Sequence, residues 1–260
     1  EGVHANGDEF PSQRFGYHKF KWFFDRYKQY GLEVVPFYYA SSLKANDVKT
    51  LMNYIRSSEV VFFGGGNPPL GMRRFLELGK KFYNDPGYIQ KLLYKRQQQG
   101  KLTVGFSAGA EQLCEHGFGL ARNILITLHH EYARSSAVKN LARQNSRCLC
   151  FGLPNDSGIE IDQGRLPNGS LYQVIDFILD RTWDRPEDQW HIKTRAGTKI
   201  DHFYPDGRHW AFNVRDKLVR IVYPNGFYKA WTISGGKIMY YRSTNRAPYS
   251  SIREILEKNS

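Results

Sequence analysis

Ser107 is the residue of this chain best placed to do chemistry. It sits in Gly105-Phe106-Ser107-Ala108-Gly109-Ala110, the small-x-Ser-x-small pattern of a nucleophile elbow. Leu102 to Phe106 predicts a short apolar strand, and Ala108 onward has helix-forming character. A strand-to-helix turn that tight forces the serine into strained backbone geometry. Only glycine or alanine around it leaves room for the neighbouring chain, and Oγ then points away from the sheet. The Ala108 N–H, at the start of the new helix, is aimed where an oxyanion would form. A plain Gly-rich turn is the competing reading of the motif taken alone.

A second glycine cluster precedes it. Val60-Val61-Phe62-Phe63 is a continuous apolar run, which predicts a strand buried on both faces. It empties into Gly64-Gly65-Gly66-Asn67, and a helical pattern (Leu70, Arg73, Arg74, Phe75, Leu78) follows. Glycines after a buried parallel strand lie at the carboxyl edge of the sheet, where α/β proteins build their sites. Such a loop brings a backbone N–H close to a reacting carbonyl. The Lys-Ser/Thr of a phosphate-binding P-loop is absent.

The candidate base comes third. Ile124 to Leu128 predicts a strand ending at His129-His130-Glu131-Tyr132, and residues 133 to 144 predict a helix. A histidine at a strand end, downstream of the serine, is a candidate to take its proton. Adjacent histidines in an extended segment point to opposite faces, so they make a poor metal pair. No metal and no cofactor is expected.

These motifs occur in one order, together with Gly152-Leu153-Pro154 and Gly158-Ile159-Glu160-Ile161-Asp162. That order resembles the dipeptidase E and cyanophycinase family of serine peptidases, which shares the glutamine-amidotransferase-like fold. The resemblance covers about residues 17 to 180. It implies Ser107 as nucleophile and His130, four residues before Arg134, as base. It also implies an oxyanion hole from the backbone of Gly65, Gly66 and Ala108, supported by Asn67. The implied substrate is a peptide or isopeptide bond.

Two departures accompany the resemblance. Cyanophycinases carry a glutamate where this chain has Gln163. The stretch matching the dipeptidase E aspartate, Gly119 to Asn123, holds no acid. A histidine without its carboxylate loses orientation and imidazolium stabilisation, an effect of about four orders of magnitude in rate for the serine-protease template. Glu131, Asp156, Glu160 and Asp162 are the nearby acids that could substitute. A catalytically degenerate binding or regulatory protein is therefore the alternative reading. An amide-cleaving relative of the glutamine amidotransferases is disfavoured, because the elbow carries serine rather than cysteine.

The elements positioning these residues fit an α/β three-layer sandwich with a mostly parallel sheet, residues 1 to 182, followed by an antiparallel β appendage, residues 183 to 260. The first fifteen residues are polar with no apolar run, where the family has two strands, so the expectation is a truncated start. Phe20, Phe23, Phe24, Tyr27 and Tyr30 predict an amphipathic helix, and Leu32 to Tyr39 a strand. In the tail, Phe203-Tyr204-Pro205-Asp206-Gly207 and Val222-Tyr223-Pro224-Asn225-Gly226 are turn signals, because proline presets φ and glycine takes the positive φ. They predict two or three hairpins, closed by a short helix over 250 to 258.

The formal charge is +12, with more than half of the excess after residue 180. The basic residues are scattered singly among aromatics without a nucleic-acid-binding motif, so nucleic acid is not an expected partner. No run of 18 apolar residues would span a membrane. Three cysteines, Cys114, Cys148 and Cys150, cannot all pair. Free buried thiols suit a reducing compartment such as the cytoplasm. The expected partners are a peptide or amide substrate and a second copy of the chain in a homodimer.

Overall fold

The structure is a computed structural model describing residues 17–40, 42–179 and 199–260. The polar start (1 to 15) and the expected 182/183 boundary lie outside the described residues. The chain divides into two compact units, Glu1–Ile126 and Thr127–Ser260.

In the first unit, α1 (Tyr17–Asp25) leads through a coil to α2 (Ala45–Ser57) and β1 (Val60–Phe63). Then follow α3 (Pro68–Tyr83), α4 (Tyr88–Gln98), β2 (Leu102–Gly105), α5 (Ala108–Leu113) and β3 (Ile124–Thr127), where the chain passes into the second unit. Helix α2 forms because Val48, Met52 and Ile55 recur at i, i+4, i+7, while the Asp47 carboxylate accepts from the Lys44 N–H (2.9 Å) at its start. Those three side chains meet Phe63, Leu78, Leu93 and Phe118 in one apolar cluster. Arg96 is buried beside it. Its guanidinium donates to the carbonyls of Ile55 and Ser58 (2.6 Å each) and of Glu59 and Leu102 (3.2 Å each). One cation thus ties the end of α2 to the starts of β1 and β2.

β1 and β2 pair in parallel, Val60 opposite Leu102 and Phe63 opposite Gly105. Among the described residues they are the whole of their sheet. Val60 and Phe62 are accordingly 43% and 41% exposed, so the strand expected to be buried on both faces buries one. Residues 32 to 40 form no strand, and α1 stops at Asp25.

The second unit holds α6 (Ser136–Gln144), β4 (Leu149–Gly152), β5 (Ser157–Arg165), β6 (Leu171–Leu179), β7 (Ile200–Phe203), β8 (His209–Phe212), β9 (Lys217–Val222), β10 (Tyr228–Ser234), β11 (Lys237–Tyr240) and α7 (Ile252–Lys258). Its strands form a five-stranded antiparallel sheet, β11-β10-β9-β6-β5, and a second antiparallel set, β4-β7-β8. This overturns the mostly parallel three-layer sandwich expected from the sequence. The reason is connection length. Parallel neighbours need a crossover of a dozen or more residues, whereas only Leu166 to Ser170 join β5 to β6, with Gly169 at φ 82°. The Pro-Asp-Gly and Pro-Asn-Gly turns likewise close β7–β8 and β9–β10, with Gly207 and Gly226 both at φ 86°.

Phe177 of β6 stacks on Phe212 of β8 (ring centroids 4.1 Å) and meets Phe151 of β4 edge-on (5.7 Å). These contacts join the two sheets. The opposite face of the large sheet, Val174, Val219, Ile221 and Trp231, packs on Ile252, Ile255 and Leu256 of α7. Strand β9 is therefore buried on both faces, with Arg220 the charged residue on the inter-sheet side.

Candidate active site

The elbow belongs wholly to the first unit. Ser107 follows β2 at φ 53°, ψ −123°, a conformation that costs a non-glycine residue about 1–3 kcal/mol. What holds it there is crowding. The Phe106 N–H donates to the Phe63 carbonyl (2.9 Å), carrying the β1–β2 pairing one residue past the strand end. Gly109 N–H then bonds the Phe106 carbonyl (3.0 Å) and Ala110 N–H the Ser107 carbonyl (2.8 Å), starting α5 at once. A Cβ on Gly105 would stand 2.5 Å from the Gly109 carbonyl oxygen, and one on Gly109 would collide with the carbonyls of Phe63 and Gly64. Glycine at both positions is thus a steric requirement. Ala108 is buried at the first position of α5.

The glycine loop meets the elbow. A Cβ on Gly65 would lie 3.3 Å from Ser107 Cβ and 3.6 Å from Oγ, so the loop backbone runs alongside the serine side chain. Gly66 follows at φ 138° and is exposed. Asn67 caps α3: its Oδ1 accepts from the Leu70 N–H at 3.0 Å, with Pro68 beginning the helix. Gln112 of α5 donates to the Pro68 carbonyl (3.3 Å), which fixes α5 against the start of α3. Ser107, Gly65, Gly66, Asn67 and Ala108 therefore share one neighbourhood.

The histidines belong to the second unit, and their settings differ. His130 is buried. Its Nε2 lies 2.7 Å from Asp201 Oδ2, and its backbone N–H donates to the Leu153 carbonyl (3.0 Å). The ring lies flat on Gly152, where a Cβ would stand 2.5 Å from Cγ and 2.6 Å from Nδ1. A carboxylate accepts only, so Nε2 carries the proton and the neutral ring has its lone pair on Nδ1, beside Gly152. His209 Nε2 stands 3.9 Å from the other oxygen of Asp201.

His129 is exposed and held at φ 53°. Its Nδ1 meets Asn155 Oδ1 at 2.6 Å. The amide oxygen accepts, so Nδ1 is the protonated nitrogen and Nε2 carries the lone pair, the tautomer a general base needs.

Gln163 lies on β5, where its Oε1 accepts from Gln173 Nε2 (2.8 Å); Gln173 Oε1 in turn accepts from Arg220. These three are register partners across β5, β6 and β9. The carboxylate at His130 is Asp201, a residue that sequence reasoning missed. The available signal was weak: Asp201-His202 stands between Ile200 and Phe203 in a four-residue strand that is buried throughout. Among the acids considered, Glu131 makes an exposed ion pair with Arg134 (3.8 Å).

The three cysteines are free thiols; burial pushes Cys150 up to about 12, which keeps it an unreactive thiol. Among the described residues no helix is long and apolar enough to cross a membrane. Comparison of the chain with protein-family models, with curated proteins and with solved structures finds no match.

Proposed function

We propose that the chain is a serine hydrolase that cleaves a peptide or isopeptide bond through Ser107. The observation that carries this reading is the strained Ser107 backbone between two glycines that no larger residue can replace, with the Gly65 backbone alongside Oγ. Strain of this kind persists where the surrounding structure over-determines it, and it clusters at reacting side chains. In the proposed reaction Ser107 Oγ attacks the carbonyl, backbone N–H groups of Gly65, Gly66 and Ala108 receive the oxyanion, and the amine leaves as the acyl-serine forms. Water then hydrolyses the ester. The motif order of the dipeptidase E and cyanophycinase family supports the peptide-bond assignment.

The reaction needs a base, and the chain offers two histidines in opposite tautomers. His129 has the Nε2 lone pair open and Nδ1 held by Asn155; His130 has the carboxylate but keeps its lone pair beside Gly152. A fluorophosphonate probe tests both parts. Wild-type protein should label at Ser107 and Ser107→Ala should not. Of His129→Ala and His130→Ala, the one that abolishes labelling while leaving the fold intact identifies the base.

A second reading has its own support. A histidine buried against an aspartate is also an ordinary structural pair. If the folded wild-type chain fails to label at Ser107, the chain is a binding or regulatory protein that retains the elbow.

A further inference from the structure

At the β11 edge of the large sheet lies an open cavity that the hydrolase reading does not use. Its volume is about 370 Å³, at the lower end of the range for small-molecule sites. It forms because β11 ends at Tyr240 while β10 runs on to Tyr228, the ladder continuing through Tyr241 N–H to the Ala230 carbonyl (2.9 Å). Tyr228, Lys229, Trp231, Tyr240, Tyr241 and Arg242 line it.

Its chemistry is aromatic and cationic. Arg242 has φ 64°, a left-handed backbone for a large side chain. Its guanidinium lies 3.7 Å from the Tyr204 ring centroid and donates from Nη2 to the Tyr228 hydroxyl (3.2 Å). The cation is thereby held in place before any ligand arrives. The Lys229 ammonium points to the other face of β10, over the Tyr223 ring (5.8 Å), so Arg242 is the cation of the site, and no carboxylate is part of the lining. Below the surface, buried Arg220 has its guanidinium 5.9 Å from the Tyr228 ring and adds positive potential. Tyr228 is exposed at the rim.

We propose that this cavity binds a small organic anion, a phosphate or carboxylate carried on a planar ring, with Arg242 meeting the charge and Tyr228 holding the ring. Both recognition elements are charge-assisted or face-to-face contacts of the kind that orient small ligands. The proposal rests on the second unit alone and is independent of Ser107.

The test is isothermal titration calorimetry on the full chain, with phenyl phosphate and benzoate as probes and inorganic phosphate as comparator. At least one aryl anion should bind saturably with Kd below about 1 mM, more weakly as salt is raised. The preferred probe identifies the anion. Arg242→Gln should weaken binding by about tenfold or more, the loss of one charge-assisted contact. Absence of saturable binding by both aryl anions overturns the proposal, as does unchanged affinity in folded Arg242→Gln. Inorganic phosphate binding as tightly as phenyl phosphate, or displacement of the probe by a short single-stranded oligonucleotide at lower concentration, also overturns it. If Arg242→Gln does not fold, Tyr228→Ala, at an exposed position, takes its place; unchanged affinity there refutes the site.

Discussion

His202 should make the second unit acid-labile, by an amount that follows from its surroundings. The imidazole is 2% exposed, with Tyr204, Phe151 and Tyr241 around it (ring centroids 4.5, 5.3 and 6.1 Å). Its Nδ1–H donates to the Cys150 carbonyl at 3.1 Å, and no described group bonds Nε2. A second proton at Nε2 would be a buried charge. Burial first, then the positive potential of Arg242 and Arg220, lowers the pKa from 6.5 to about 3. Between those values the unfolded chain binds a proton that the folded chain refuses. Stability is therefore full above pH 6.5 and falls as the pH drops toward 3. Linkage gives a loss of about 2 kcal/mol between pH 7 and pH 5 from this one residue. The result depends on the folded value only through its lying well below pH 5. Urea unfolding of wild type and His202→Phe, at a series of pH values, isolates the contribution. The variant loses the Cys150 hydrogen bond at every pH, which shifts its curve without tilting it. Its stability should decline less on acidification, by the stated amount. Parallel curves for the two proteins would refute the reasoning.

The elbow and the search for an acid give the remaining tests. Gly109→Ala drives a Cβ into the Phe63 and Gly64 carbonyls and should cost about 1–3 kcal/mol in urea unfolding, with loss of Ser107 labelling. Gly65→Ala meets Ser107 Cβ at 3.3 Å, a contact that crowds Oγ without touching the core, and should slow labelling in a chain of nearly wild-type stability. Gln163→Glu and Glu131→Gln should both leave the labelling rate unchanged, because Gln163 bonds Gln173 and Glu131 pairs with Arg134. A large gain in the first or loss in the second would show that the acid acts from one of those positions.

What the sequence determined by itself is local. The chain around Ser107 reads correctly as strand, turn and helix because backbone crowding between Gly105, Ser107 and Gly109 is a matter of a few consecutive residues. The proline–glycine turns with their hairpins and the closing helix were legible for the same reason. Sheet direction was not. Apolar runs alternating with helices hold for residues 60 to 127 and give one parallel pair; beyond them, loop length governs. Asn168-Gly169-Ser170, which also matches a glycosylation triplet, is the tight turn that forces β5 and β6 antiparallel. Residues 32 to 39 show the converse: strand propensity without a ladder in which to spend backbone hydrogen bonds gives no strand.

Only the tertiary structure decided the partners of the histidines. Asp201 lies 71 residues after His130, and no spacing rule connects them; strand β7 pairing with β4 brings them together. Nor does composition distinguish His129 from His130. One is open with its lone pair on Nε2, the other buried with its lone pair on Nδ1, because Asn155 accepts from the first ring at Nδ1 and Asp201 from the second at Nε2. Hydrogen bonds of side chains far apart in sequence are set by packing, and packing is a property of the whole fold.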